Sequence, residues 1–126
     1  MKYLFLALIS VLICGEASAA KFPMVTLTAD GTQEIAVIPR AGGMWEATVI
    51  TSGDFGSGTL TLHQATTSTC TTTRALKDSA GTAYSSTDDD TLNIKLGVDK
   101  DNYTYLCATL AGATNPDIDV EVYDNR

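Results

Sequence analysis

The chain is patterned by alternation. Between Trp45 and Val49 apolar and polar side chains take turns, with Trp45, Ala47 and Val49 set against Glu46 and Thr48. The same period of two returns at Leu60 and Leu62, at Leu92, Ile94 and Leu96, and at Ile118, Val120 and Val122. Successive side chains of an extended strand point to opposite faces, so each stretch predicts a strand with one buried and one wet face. Tyr103 to Leu110 (YTYLCATL) is apolar on both sets of positions and predicts a central strand covered on both sides. Met24–Thr28 and Thr32–Pro39 predict two earlier strands, and Arg74–Lys77 with Thr82–Ser85 a weak hairpin. Turn signals separate them at Asp30-Gly31, at 41–43, over Ser52–Ser57, at Asp78–Gly81, over Ser86–Asp90 and at Pro116-Asp117. The threonine-rich stretch Ala65–Thr73 reads as a loop held down by Cys70.

Beyond residue 19 no window of a dozen residues carries apolar positions at helical spacing without Gly or Pro interruption. Parallel pairing would need long crossovers that turns this tight do not provide. The expectation is an all-β chain, an antiparallel β-sandwich of jelly-roll or immunoglobulin-like type. Trp45 precedes both later cysteines, whereas the immunoglobulin order is Cys, Trp, Cys. The predicted core is Trp45, Val49, Leu60, Leu62, Leu92, Ile94, Leu106, Leu110 and Val120.

The N-terminus follows a different grammar. Lys2 precedes an apolar run from Tyr3 to Cys14, and Ala17-Ser18-Ala19 offers the small residues of a cleavage site. This predicts a helical secretory signal over 1–19, removed to leave one β-sandwich domain over 20–126. The run is shorter than the roughly 20 apolar residues of a comfortable span. Membrane contact is therefore expected only if this N-terminus is retained. Cleavage leaves Cys70 and Cys107, and two cysteines in an exported domain read as one disulfide, with two unpaired buried thiols as the other reading. The expected location is extracytoplasmic (secreted or periplasmic).

Composition narrows the function. Fifteen acidic residues against eight basic give a net charge of −7, which argues against a nucleic-acid partner, since binding phosphates takes a basic surface. With 44% apolar and 18% charged residues, the chain has the makings of a packed core rather than of a disordered tail. His63 is the single histidine and falls on the predicted outward face of its strand, without a nucleophile singled out beside it. Gly56-Ser57-Gly58 reads as a turn and not as a nucleophile elbow. Neither an enzyme nor a cofactor is expected.

Acidic clusters supply weak Ca²⁺ candidates at Asp88, Asp89, Asp90, Asp99 and Asp101. The Asp99-x-Asp101 start lacks a ligand at the fifth position, where Tyr103 stands, and a glycine at the sixth. Asp117, Asp119 and Glu121 recur at period two and share one strand face, where the expected service is solubility and edge protection. Tyr103 and Tyr105 are candidates for stacking on a sugar, and Asn102-Tyr103-Thr104 is a glycosylation triplet by pattern.

Taken in order, TLTADGT (Thr26 to Thr32), GGMWEATV (42–49), GDFGSGTLTL (Gly53 to Leu62), ALKDSAG (Ala75 to Gly81), TLNIKLG (Thr91 to Gly97) and YLCATLAGATNPDIDVEV (Tyr105 to Val122) form a series. The series resembles small β-sandwich virion proteins of tailed bacteriophages, of the head-decoration, cement or fibre-associated type. The resemblance covers nearly all of 20–126 and implies a non-catalytic structural or interaction module. Its partners would be a capsid, a tail or further copies of itself. The export signal and the cysteine pair depart from that pattern. They suit the alternative, a secreted bacterial adhesion or carbohydrate-binding domain whose partner is a glycan.

Overall fold

The computed structural model describes residues 21–39, 43–98 and 103–125. The segment 1–19, with its expected signal helix, lies outside them. Among the described residues nine strands follow one another: β1 (Val25–Leu27), β2 (Gly31–Val37), β3 (Gly43–Asp54), β4 (Thr59–Ala65), β5 (Thr73–Ala75), β6 (Ser85–Ser86), β7 (Asp90–Val98), β8 (Tyr105–Ala111) and β9 (Asp117–Asp124). They form two sheets, ordered β1-β9-β3-β7 and β2-β8-β4-β5, with β6 also paired to β4. Every pairing is antiparallel. The described residues contain no helix, and for them the expectation of antiparallel β-sheets holds. The chain changes sheet at each step except along β4, β5 and β6.

The alternation dictates which faces meet. Trp45, Ala47 and Val49 of β3, Ile94 and Leu96 of β7, and Ile118, Val120 and Val122 of β9 are buried on one side of the first sheet. Leu60 and Leu62 of β4 and Leu106, Ala108 and Leu110 of β8 are buried on one side of the second. These residues belong to a single apolar cluster, so each sheet covers the other's apolar face. Burying a side chain the size of leucine stabilises by roughly 1.5–3 kcal/mol, and this cluster is the main favourable contribution to the fold. Leu92, placed in the core by the sequence, packs at its margin and is only partly buried. Leu27, Ile35, Ile38, Phe55 and Leu76 join the cluster from short or irregular segments whose periodicity is too brief to read.

Two irregularities shift the expected boundaries. The β2–β8 register slips between Glu34 and Ala36, a bulge that lets Ile35 and Ala36 both turn inward. β3 continues to Asp54 instead of stopping at Thr51, because Gly53 lies against β9, where a Cβ would stand 2.2 Å from the Asp117 carbonyl oxygen. The turn tightens after that: Gly56 takes φ +56°, the Gly58 N–H donates to the Phe55 carbonyl at 2.8 Å, and the Thr114 N–H donates to the Gly56 carbonyl at 2.9 Å. The expected hairpin over 74–85 is reduced to β5, a single bridge between Lys77 and Ala83, and β6. Its turn is closed by Asp78, whose Oδ1 accepts from the Ala80 and Thr82 N–H groups.

Candidate functional site

The outward faces of the two sheets present different chemistry. On the second sheet, β8 turns Tyr105, Cys107 and Thr109 outward, since Leu106, Ala108 and Leu110 fill the core. The register sets Thr61, His63 and Ala65 of β4 opposite Thr109, Cys107 and Tyr105. On the other side Thr32 and Glu34 of β2 lie opposite Thr109 and Cys107. Thr32, Thr109 and Thr61 therefore make one row across three strands, with the Thr32 and Thr109 hydroxyls 2.8 Å apart. The next row runs Glu34, Cys107, His63.

Cys107 is bonded to Cys70, with their Cα atoms 6.3 Å apart. The expected disulfide is present. It draws the 66–72 loop onto this face, where Cys70, Cys107 and Ala65 form a second small buried cluster with Tyr105 packed against it. Cys70 takes φ +57°, and its N–H donates to the Thr67 carbonyl at 3.0 Å, so the loop folds back tightly at the crosslink. His63 is half-buried in this face, with Nε2 3.1 Å from the Thr61 hydroxyl. Burial lowers its pKa from the ordinary 6.5, which favours the neutral ring.

The outward face of the first sheet is charged. Asp117, Asp119, Glu121 and Tyr123 alternate with the buried Ile118, Val120 and Val122, as the period of two requires. Each acid of the central part has a partner. The Thr26 hydroxyl donates to Asp119 at 2.8 Å. Lys21 pairs with Glu121 at 3.3 Å, and the Tyr123 hydroxyl donates to the same carboxylate at 3.1 Å. The hydrogen bond to Glu121 is the main reason that the Lys21 pKa is raised. Lys95 and Glu46 add an exposed pair at 3.6 Å.

Asp88, Asp89 and Asp90 serve the backbone of their own corner: Asp88 accepts from the Asp89 N–H, Asp89 from the Gly53 N–H, and Asp90 from the Thr91 N–H, each within 2.9 Å. Among the described residues no three His, Cys, Asp or Glu side chains group to hold a metal ion. Asp99, Asp101 and Asn102 lie outside the described residues. Tyr103 carries the Arg74 guanidinium 4.2 Å above its ring, and Tyr105 packs at the disulfide, so both rings are engaged within the chain.

The sequence reading missed the polar ties at the ends of the two sheets. Buried Gln64 donates to the Gly97 and Tyr103 carbonyls and accepts from Arg74 Nε at 3.2 Å. Buried Asp124 accepts from the Trp45 indole N–H at 3.1 Å, at the floor of a depression of about 680 Å³ that Glu46, Lys95 and Asn125 also line. Asp30 accepts from the Gly112 and Ala113 N–H groups and joins two turns. The inward position of Gln64 in the alternation of β4 was the one available signal.

No protein family matches the chain, and no curated protein sequence does. Solved structures are similar at low identity. The capsid asymmetric unit of cyanophage Pam1 matches at 13% identity and a TM-score of 0.45, over 87% of this chain and 88% of that one. The SPBc2 prophage-derived protein YomS matches at 12% identity and a TM-score of 0.43, over 84% and 96%. The IMPa metallopeptidase from Pseudomonas aeruginosa matches at 17% identity and a TM-score of 0.44, over 85% of this chain, which spans 12% of that enzyme.

Proposed function

We propose that the chain is a non-catalytic structural module that attaches to a protein surface, most simply the surface of a phage particle as a decoration or tail-associated protein. The observation that carries this reading is the division of charge between the two outward faces. The second sheet presents threonine hydroxyls, an imidazole favoured neutral, a tyrosine and a crosslinked loop, with Glu34 on its edge strand as the one acid in those rows. A face of this kind loses little hydration when covered, because few charges are desolvated. The first sheet, with Asp117, Asp119 and Glu121 outward, suits permanent contact with water. The module would sit with the second sheet inward and the acidic sheet outward.

The strand order supports a jelly-roll reading of the fold. A chain that crosses between two sheets at nearly every step, with one sheet ordered β1-β9-β3-β7 and the other β2-β8-β4-β5, departs from the immunoglobulin grouping, in which early strands pair within one sheet. On this reading the signal-like segment over 1–19 is cleaved and the domain begins at 20, outside the reducing cytoplasm, where the disulfide persists.

The test is incorporation. A tagged copy should appear on purified particles by negative-stain microscopy, and the double variant Thr61→Lys, Thr109→Lys should be folded yet absent from them. A wild-type copy missing from particles rejects the reading.

A further inference from the structure

Among the described residues the four edges of the two sheets are not equally protected. β1 has three residues and follows Pro23. β2 carries the bulge at Glu34 and Ala36. β5 has three residues and β6 two. β7 has nine, paired to β3 without a break from Asp90 to Val98. Short strands, prolines, bulges and edge charges are the usual means by which a sheet edge is kept from pairing; of these the interior of β7 has only Lys95, and side chains of Gln64 and Arg74 reach only its Gly97 end.

The hydrogen-bond directions show what β7 offers. In an antiparallel ladder the backbone groups of alternate residues point to opposite neighbours. The Glu46 carbonyl of β3 accepts from Asn125, on the β9 side, while the Gly53 N–H donates to Asp89, on the β7 side. Odd-numbered residues of β3 thus face β7, and their register partners Leu92, Ile94 and Leu96 use their backbone groups in that ladder. The residues between, Thr91, Asn93, Lys95 and Gly97, turn N–H and C=O to the open edge. Two of these groups are capped within the chain: the Thr91 N–H by Asp90 and the Gly97 carbonyl by Gln64 and Arg74. Among the described residues the backbone groups of Asn93 and Lys95, the Thr91 carbonyl and the Gly97 N–H have no partner on that side.

We propose that β7 is the pairing strand for a second copy of this chain, antiparallel and centred on Ile94. The choice of occupant follows from self-complementarity. Centred there, Asn93 exchanges both backbone bonds with the partner's Lys95, and the Gly97 N–H meets the partner's Thr91 carbonyl. The two capped groups face each other and need no new partner. Leu92 lies opposite the partner's Leu96 and Ile94 opposite its equal, which closes over the partly buried Leu92. Sliding the centre to Lys95 would oppose two ammonium groups, whereas the Ile94 register opposes Lys95 with an amide. The acids Asp117, Asp119 and Glu121 stand on β9, separated from the seam by β3 and β7. The contact is isologous, joins two four-stranded sheets into one, and is independent of the particle role proposed above.

Sedimentation equilibrium of the full chain with its disulfide intact tests the pairing. A dimer is expected. Lys95→Pro removes an N–H that points into the seam and none that β3 uses, so it should give a folded monomer. Two further variants read the register even where the proline variant does not fold. Asn93→Glu faces the partner's Lys95 at both symmetric positions and should tighten the dimer about 2- to 30-fold, and Asn93→Lys should weaken it by a similar factor. A wild-type chain that stays monomeric at all concentrations overturns the proposal. So does a dimer whose dissociation is the same in both Asn93 variants, or a monomer that instead takes up a strand of a different protein along β7.

Discussion

The two sheets bury equivalent apolar faces and differ in how their outward faces are held. On the first, order comes from many weak polar contacts: Thr26 to Asp119, Lys21 and Tyr123 to Glu121, Lys95 to Glu46. On the second, one covalent link from Cys107 to Cys70 fixes a loop, and Tyr105 and Ala65 pack beneath it. Exposed ion pairs and hydroxyl contacts contribute little each, because water solvates the separated partners nearly as well. A crosslink acts on the unfolded chain instead, by limiting the conformations available to it. The two faces should therefore respond very differently to perturbation.

The largest expected effect is on the crosslinked face. Replacing Cys70 and Cys107 together with serine opens a connection across 37 residues. The chain-entropy relation gives a loss of about 4 kcal/mol for a closed loop of that size, read as a lower denaturant midpoint in chemical unfolding. Tyr105→Ala comes next, at about 2 kcal/mol, since it strips the half-buried ring from the same cluster. It should cost more than any single change among Asp117, Asp119 and Glu121, and equal costs would erase the contrast between the faces.

On the charged face, Glu121→Gln removes the ion pair with exposed Lys21 and should shift the melting midpoint by less than about two degrees, and less still in high salt. The smallest effect is a pH dependence at His63. Its pKa in the fold is lowered by burial, so the unfolded chain takes up a proton at higher pH than the native one does. The stability this contributes is present above pH 6.5 and is lost as pH falls through the lower native pKa. His63→Gln should flatten the stability profile just below pH 6.5.

Much of the fold was legible because strand alternation is a local property. The inward sets Trp45–Ala47–Val49, Leu60–Leu62 and Ile118–Val120–Val122 were assigned from period two alone, and all are buried. The double burial of β8 was equally plain, since Leu106 and Cys107 point opposite ways and neither is polar. The shared face of Asp117, Asp119 and Glu121 followed from the same rule. Strand ends were less legible: β3 runs past the glycine at 53 because β9 lies against it, and that contact is distant in sequence. Asp88, Asp89 and Asp90 are only weak Ca²⁺ candidates from the sequence, because adjacency alone does not say whether a turn makes their carboxylates converge. In the structure each accepts from a nearby backbone N–H.

By itself, then, the sequence determined the secondary structure type, the inner and outer side of most strands and the pair of cysteines to be joined, because these depend on residues a few positions apart and on composition. Only the tertiary structure decided which strands are neighbours. That assignment made Thr32, Thr109 and Thr61 one row, placed Glu34 and His63 on either side of Cys107, and left β7 as the long open edge. Such neighbours are fixed by how two whole sheets close over one core, a balance of long-range packing that no single stretch of the chain encodes.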